Sequence, residues 1–249
     1  GVNNIDEIID VSDGIMVARG DMGVEIPFEQ IPAIQKEIIE KGYMSGKQVI
    51  TATQMLESMI TNLRPTRAEI TDVANAIYDG TSAIMLSGET AAGKHPVEAV
   101  KTMALIAETT EKDINYIARL SKRPMQKGID STNAIAHAAV TTAHDLGAKA
   151  VITVTKSGST AKNISKYRPT CMIIGCTPDD TVHRQMSLSW GVVPVKMDEK
   201  SSTDELFSAA IDAAKSHGLV EKDDIVVITA GIPLGVAGKT NMLKVDTIK

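Results

Sequence analysis

The sequence predicts an α/β protein whose sheets are built of parallel strands. Short apolar segments with no polar alternation recur along the chain of 249 residues, as expected of strands that are covered on both faces. Segments with apolar residues at helical spacing separate them. The predicted strands cover residues 14–18, 48–53, 82–87, 150–155, 172–176, 192–196 and 225–229, and residues 242–248 are a candidate edge strand.

The predicted helices follow from apolar spacing and from the residues that begin them. Pro65 and Thr66 open one helix and Pro96 opens another, because proline fits the first turn of a helix. Asp130 or Ser131 caps a later one, since a short polar side chain accepts hydrogen bonds from the first N–H groups of a helix. The predicted helices cover residues 30–41, 66–78, 96–113 and 131–146.

Residues 121–130 interrupt this pattern. They contain proline and glycine and no apolar period, so the sequence predicts a linker or crossover there. The linker separates a first domain of three βα units, residues 1–120, from a second α/β domain, residues 121–249. Three parallel βα units alone leave a sheet edge that pairs with another strand or aggregates. If these units belong to an eightfold barrel, five units are missing.

The composition argues against several classes of protein. A net charge of −5 disfavours a nucleic-acid partner. No apolar run approaches the roughly 18 residues of a membrane span, and no basic-then-apolar leader opens the chain. Cys171 and Cys176 lie in or beside a predicted strand and fit no metal-ligand spacing, which favours buried thiols in a reducing compartment. We therefore expect a cytoplasmic protein that binds neither nucleic acid nor membrane.

The strongest candidate site follows the first three predicted strands. Reactive groups collect where parallel strands end, and Asp21, Thr53 and Ser87 stand at or just after those ends. Gly20 and Gly23 let the backbone approach a ligand, while Asp21 is a hard oxygen ligand suited to Mg²⁺. Two simpler interpretations stay open: Asp21 caps the turn after its strand, and Thr53 is a buried hydroxyl bonded to a carbonyl.

Two segments share features with phosphate-binding loops. Residues 88–94 fit most of the pattern GxxxxGK[ST], but His95 stands where a Ser or Thr would ligate Mg²⁺. Residues 155–160 follow a predicted strand and open a helix, and their hydroxyls, lysine and backbone amides favour binding of a phosphate monoester. The alternative is a solvated loop capped by Ser159. Residues 230–241, with three glycines and a lysine, either close over such a ligand or form a hairpin.

Four longer motifs make the sequence similar to the pyruvate kinase family along its whole length. They are MVARGDMGVE at residues 16–25, ATQMLESM at 52–59, RPTRAE at 64–69 and MLSGETA at 85–91, in the family's order and spacing. The resemblance implies the C-terminal half of such an enzyme: a partial TIM barrel (the last three βα units) followed by an α/β sandwich of the pyruvate kinase C-terminal domain type. It also implies that residues 89–94 are barrel structure rather than a nucleotide loop.

The resemblance further implies roles for particular residues. Asp21 would be the metal ligand, and Thr53 and Ser87 would be catalytic residues on the proton route to the enolate. The substrate site would consist of Ala18, Arg19, Gly20, Asp21 and Thr53. The effector site would consist of Thr155, Lys156, Ser157, Gly158, Ser159, Thr160, Gly235, Gly238 and Lys239.

The implied reaction is phosphoryl transfer from phosphoenolpyruvate to ADP, giving pyruvate and ATP in glycolysis. It implies Mg²⁺ or Mn²⁺ and K⁺ as cofactors, a sugar-phosphate or nucleotide effector, and a homo-oligomer, which is a tetramer in the family. The family's phosphoryl-stabilising lysine, second metal ligand, K⁺ ligands and lid domain have no counterpart in the sequence. Because phosphoryl transfer depends on positioning and charge neutralisation, we expect the chain alone to be inactive. The alternative is a sugar-phosphate-binding and oligomerisation module without catalysis.

Overall fold

Two sheets, one in each half of the chain, organise the computed structural model, which describes residues 1–122, 130–233 and 240–249. They belong to two compact units, Gly1–Ile114 and Asn115–Lys249. Among the residues that the structure describes, no helix is long and apolar enough to cross a membrane.

The first unit contains a three-stranded parallel sheet with its second strand in the centre. The strands are β1 (Gly14–Ala18), β2 (Gln48–Ala52) and β3 (Ala83–Ile84). The helices are α1 (Ile5–Val11), α2 (Arg19–Glu25), α3 (Ile31–Met44), α4 (Arg67–Asp79), α5 (Gly88–Ala91) and α6 (Pro96–Asp113), with short 3₁₀ turns at Val2–Asn4, Phe28–Gln30 and Glu57–Ile60.

Apolar side chains from these elements form two cores in the first unit. Ile9 of α1, Ile39 of α3 and Val49 of β2 are buried together in one of them. Val73 of α4 and Ala99 of α6 belong to the other, where the two helices pack with the segment that follows β2. These contacts fix the sheet, so the chain leaves its strands at defined places.

Strand register decides where the candidate site forms. Ala18 lies opposite Ala52, so the chain leaves β1 and β2 at the same edge of the sheet. Arg19 and Thr53, the next residues, therefore begin their segments side by side. This edge is the carboxyl edge, where ligands of parallel α/β sheets bind.

Several element boundaries in the first unit differ from the prediction. The segment around Asp21, expected to be a glycine turn, is the helix α2, whose end is marked by the Ile26 N–H donating to the Met22 carbonyl at 2.8 Å. Thr53 lies outside β2 because its φ of 69° is incompatible with a strand. The third strand was predicted to reach Ser87 but ends at Ile84; the Met85 N–H still donates to the Thr51 carbonyl at 3.0 Å, and α5 begins at Gly88.

The second unit contains a five-stranded sheet flanked by helices. Its strands are β4 (Ala150–Val154), β5 (Met172–Thr177), β6 (Val192–Lys196), β7 (Ile225–Ala230) and β8 (Met242–Thr247), in the order β6-β5-β4-β7-β8, with β8 antiparallel. The helices are α7 (Tyr116–Ser121), α8 (Ser131–Leu146), α9 (Ser159–Ser165), α10 (Asp180–Met186) and α11 (Thr203–Ser216).

The central strands of this sheet are buried on both faces, as their continuous apolar sequences predict. Ile152 packs with the α11 side and Val151, its neighbour, packs with the α8 side. Asp130 caps α8, because its carboxylate accepts from the Asn133 N–H at 2.7 Å. Helices on both faces of a mostly parallel sheet confirm the prediction of an α/β protein.

Candidate functional site

The centre of the candidate site is a hydrogen bond between the segments that follow β1 and β2. The Gly20 N–H donates to Thr53 Oγ1 at 2.9 Å, and the same hydroxyl donates to the Ala52 carbonyl at 2.6 Å. The structure therefore brings two of the predicted substrate residues into direct contact. The second bond is the local carbonyl interaction that the sequence left open for Thr53.

The backbone of the Thr53 segment is strained. Thr53 and Gln54 both have positive φ angles, 69° and 52°. Left-handed geometry is unusual for a residue other than glycine, and more so for a β-branched one such as threonine. Two consecutive residues of this kind cost on the order of 1 to 3 kcal/mol each, so other contacts must hold them.

Arg19 supplies many of those contacts. Its Nη1 lies 2.6 Å from both carboxylate oxygens of Asp72, on α4. Nη2 donates to the carbonyls of Thr53 at 2.5 Å and Gln54 at 3.3 Å, and Nε donates to the Ala52 carbonyl at 3.3 Å. The guanidinium is thus engaged by protein groups, and its side chain is only 11% exposed.

The Asp21 carboxylate, unlike the Arg19 guanidinium, is left open to a ligand by the described residues. Asp21 lies in the first turn of α2, and no hydrogen bond or ion pair within the described part of the chain engages its carboxylate. Ala18, the N-cap residue of α2, has no side-chain cap, and none of the hydrogen bonds among the described residues makes Asp21 a cap. A cleft of about 570 Å³ lies beside Asp21 and is also lined by Glu25 and Gln30.

A single carboxylate is a partial metal site. Across residues 1–122, 130–233 and 240–249, no group of three or more His, Cys, Asp or Glu side chains could hold a metal ion. Mg²⁺ is commonly bound by one or two carboxylates, with waters and substrate phosphates completing its octahedron. The exposed Asp21 side chain fits one such ligand position.

Ser87 is joined to this region through a residue that the sequence analysis missed as a site residue. Glu89, in α5, is only 3% exposed. Its carboxylate accepts from the Leu56 N–H at 3.1 Å and from the Ser87 N–H at 2.7 Å. It thereby ties the segment after β2 to the segment after β3. The signal available in the sequence was an acidic residue directly beyond an apolar strand, two positions after Ser87.

The geometry around Glu89 does not suit a phosphate loop. The Lys94 N–H donates to the Ile60 carbonyl at 2.8 Å, and the Ala92 N–H donates to the Gly88 carbonyl at 3.1 Å. Amides that are bonded within the protein cannot cradle an anion. Residues 88–94 therefore serve the fold, as the resemblance implied.

The second candidate site lies at the carboxyl edge of the other sheet. Gly158, with φ of 79°, precedes α9, and its N–H donates to Thr155 Oγ1 at 3.0 Å. The Ser157 and Ser159 hydroxyls lie 2.6 Å apart. Thr160 Oγ1 lies 2.8 Å from Thr240 Oγ1, so the first turn of α9 touches the segment just before β8.

Two features bear on anion binding in this turn. Lys156 Nζ forms an ion pair with Glu199 at 2.6 Å, and both side chains are substantially exposed. An anion would therefore compete with Glu199 for this lysine. Gly235, Gly238 and Lys239 lie outside the described residues, but Asn241 bonds both the N–H and the carbonyl of Ile232, at 2.8 and 2.7 Å.

The two cysteines are free thiols, as the sequence predicted. Burial raises the pKa of Cys176 to about 12 and that of Cys171 to about 11. Thiols that stay protonated at neutral pH are poor nucleophiles and poor metal ligands. They have no role in either candidate site.

Comparisons with known proteins agree with these two units. The pyruvate kinase barrel-domain model matches residues 1–100, and the pyruvate kinase alpha/beta-domain model matches residues 133–246. A pyruvate kinase from Clostridium acetobutylicum is 55% identical over 249 residues, and one from Geobacillus stearothermophilus is 53% identical over 248. The chain is covered completely in both matches but spans only 53% and 42% of those relatives.

A solved structure gives the same result. The crystal structure of a pyruvate kinase from Cryptosporidium parvum superposes with a TM-score of 0.92 at 44% sequence identity, covering the whole chain and 50% of that protein. The matches define an α/β protein in which one stretch matches a barrel-domain family and a later stretch matches an α/β-domain family. The chain belongs to the pyruvate kinase family, and it spans about half the length of the relatives that it matches.

Proposed function

We propose that the chain contributes to the pyruvate kinase reaction, in which the phosphoryl group of phosphoenolpyruvate passes to ADP to give pyruvate and ATP in glycolysis. The observation that carries this proposal is the contact between Gly20 and Thr53, with the open Asp21 carboxylate beside it. Family membership supplies the reaction class. A cytoplasmic, glycolytic setting is part of the proposal.

The proposed roles follow the chemistry of each group. Asp21 ligates Mg²⁺ or Mn²⁺, which when bound neutralises charge on the transferring phosphoryl group. Gly20 and Asp21, with the backbone of Ala18 and Arg19, hold phosphoenolpyruvate or pyruvate. Thr53 contacts the same substrate and begins the proton route to the enolate, and Ser87 lies farther along it. The K⁺ ligands and the second metal carboxylate lie outside this chain.

We further propose that the parallel sheet of the first unit is the last part of an eight-stranded barrel. In this proposal the barrel part covers residues 1–120 and an effector domain covers residues 121–249. The three-stranded order and the barrel-domain match support this assignment. Without the remaining strands and charges, the isolated chain is inactive.

Reconstitution tests this function. The chain is mixed or co-expressed with the N-terminal half of the Geobacillus stearothermophilus relative, and pyruvate formation is followed in a coupled assay. Activity is expected only from the pair, and Asp21→Asn should abolish it while the exposed Glu98→Gln should not. A well-folded pair without activity would contradict the proposal.

A second candidate function rests on the hydroxyl-rich turn at residues 155–160. In this alternative the chain alone is a sugar-phosphate-binding and oligomerisation module, and in the whole enzyme the same turn is the effector site of a homotetramer. Calorimetric titration with fructose 1,6-bisphosphate, ribose 5-phosphate and AMP tests it. Binding that Thr160→Val weakens would support the site, and no heat with any of the three would contradict it.

A further inference from the structure

The contacts of Arg19 separate it from the other predicted substrate residues. One guanidinium spans three successive backbone carbonyls, those of Ala52, Thr53 and Gln54, and the carboxylate of Asp72. A group whose donors are used in this way has little capacity left for a substrate carboxylate or phosphate. The guanidinium instead donates hydrogen bonds mainly to backbone carbonyls of the protein.

The carbonyls that Arg19 binds belong to the strained part of the chain. Two of them belong to Thr53 and Gln54, whose backbone is left-handed, and such geometry persists only where surrounding contacts determine it. Asp72 in turn fixes the guanidinium, because a carboxylate that meets one nitrogen with both oxygens at 2.6 Å restricts its position. The pair therefore connects α4 to the conformation of the Thr53 turn.

That conformation determines where the Thr53 hydroxyl points. Its oxygen accepts from the Gly20 N–H, one residue before the Asp21 carboxylate. A shift of the turn would move the hydroxyl relative to the backbone and carboxylate that face the cleft. Displacements of about 1 Å in a reacting group can cost about 100-fold in rate.

We propose that Arg19 and Asp72 are positioning residues that hold the Thr53 turn in its left-handed form, and that the Arg19 side chain is not a substrate ligand. This inference rests on the proposed function for its effect on turnover, but not for its effect on the turn itself. The resemblance implied a substrate role only for the Arg19 backbone, and that backbone keeps its proposed place in the substrate site.

The test compares Arg19→Met, Arg19→Lys and Asp72→Asn with the control Lys36→Met. Lys36 also pairs with an aspartate of α4, Asp79, but it touches no part of the Thr53 turn. In the reconstituted enzyme, Arg19→Met and Asp72→Asn should lower kcat by about tenfold or more while KM for phosphoenolpyruvate changes by less than about threefold. Arg19→Lys should not restore kcat, because an ammonium cannot span the carbonyls and the carboxylate together.

A second measurement uses the 249-residue chain without any activity. Amide hydrogen exchange at Gly20 should accelerate about tenfold or more in Arg19→Met. Exchange at Met85, whose N–H donates to the Thr51 carbonyl of β2, should not change. The control Lys36→Met should leave both amides unchanged.

The outcomes separate this inference from the proposed function. A rise in KM with unchanged kcat would make the Arg19 side chain a substrate ligand and would overturn the inference. If kcat, KM and Gly20 exchange are all unchanged, the Arg19–Asp72 ion pair only joins two elements, and the inference is overturned. If the unsubstituted pair of halves is inactive, the proposed function fails, and exchange at Gly20 alone then decides whether Arg19 positions the turn.

Discussion

Glu89 shows how one buried side chain can stabilise two loops. Its carboxylate is almost inaccessible to solvent and accepts from the N–H groups of Leu56 and Ser87. In Glu89→Gln, one acceptor oxygen becomes an NH₂ group that faces a backbone donor. We expect a loss of about 1 to 3 kcal/mol in unfolding free energy, the range for a buried donor left without its acceptor. Hydrogen exchange of α4 amides, which report on the first unit, would measure it.

Glu98→Gln is the matched control for this prediction. Glu98 lies in the first turn of α6 and is exposed, so the same change of charge there should alter stability by less than about 0.5 kcal/mol. Equal losses in the two variants would mean that charge, rather than the two amide bonds, explains the effect of Glu89.

His144 makes the second unit sensitive to pH. Its Nε2 accepts from the Thr170 N–H at 3.1 Å, and burial lowers its pKa, although nearby Asp145 acts in the opposite direction. Since the folded pKa lies below the unfolded value of about 6.5, stability should be complete above that value. It should fall as the pH drops from there through the folded pKa, because the unfolded chain takes up the proton first.

Urea unfolding followed by tryptophan fluorescence would test this, since the only tryptophan, Trp190, lies in the second unit. His144→Gln should flatten the decline between pH 7 and about 5.5, because an amide oxygen accepts from Thr170 without titrating. His217→Gln, at an exposed histidine, should leave the slope unchanged. A slope that persists in His144→Gln would refute the assignment.

For individual residues, the sequence predicts which of them follow the strands but not which groups they contact. Asp21 and Thr53 could be placed at strand ends because strand length and apolar runs locate those ends. The Arg19–Asp72 pair joins residues 53 positions apart, and no local pattern specifies such a partner. Glu89 was missed as a site residue for the same reason: its burial depends on the positions of the segments after β2 and β3, which no local sequence pattern specifies.

At the scale of elements, the start of α4 is the clearest case of local sequence determining structure. Thr66 accepts from the Glu69 N–H, while the Glu69 carboxylate accepts from the Thr66 N–H and hydroxyl and from Ser58. Burial alone would raise the pKa of Glu69, but these hydrogen bonds together lower it. This is a capping box, with a hydroxyl and a carboxylate each satisfying a backbone donor.

Thr66→Ala should therefore destabilise the first unit by about 1 kcal/mol. Thr66→Ser, which keeps the acceptor, should restore most of that loss, and both can be followed by exchange of the α4 amides. A similar loss in Thr66→Ser would show that the methyl group, and not the cap, matters.

Elements with strong local signals were predicted closely. Residues 14–18, 96–113, 131–146 and 192–196 are the observed β1, α6, α8 and β6. The errors lie where tertiary contacts override local pattern: α2 contains two glycines yet is helical, and β3 stops at Ile84. Glycines such as Gly20 and Gly23 destabilise a helix in isolation. The helix α2 therefore depends on packing, such as that of Met22 against the core that contains Ile39 of α3.

At the scale of the molecule, the sheet of the first unit is the main liability. Within the described residues, β1 and β3 each pair only with β2, and Met16 of β1 is 51% exposed. An unpaired edge with exposed apolar side chains recruits other strands. We expect the isolated chain to self-associate, as light scattering over a range of concentrations would reveal.

Met16→Lys should reduce this association, because an edge lysine would bring charge into any new strand pairing. Val193→Lys, at an exposed position on the edge strand of the other sheet, is the control and should have less effect. A monodisperse monomer of the unsubstituted chain at every concentration would contradict the prediction.

The strand order of the second unit has a consequence for synthesis on the ribosome. β4 is the first of its strands to be made, yet it lies at the centre of the sheet, between β5 and β7. β7 emerges about 70 residues later, which is roughly 4 to 14 s at usual rates of translation. During that interval β4 can pair on one side only, so the nascent chain carries an apolar strand with an open edge. Chaperones that bind exposed strands would meet this segment in the cell before the finished sheet exists.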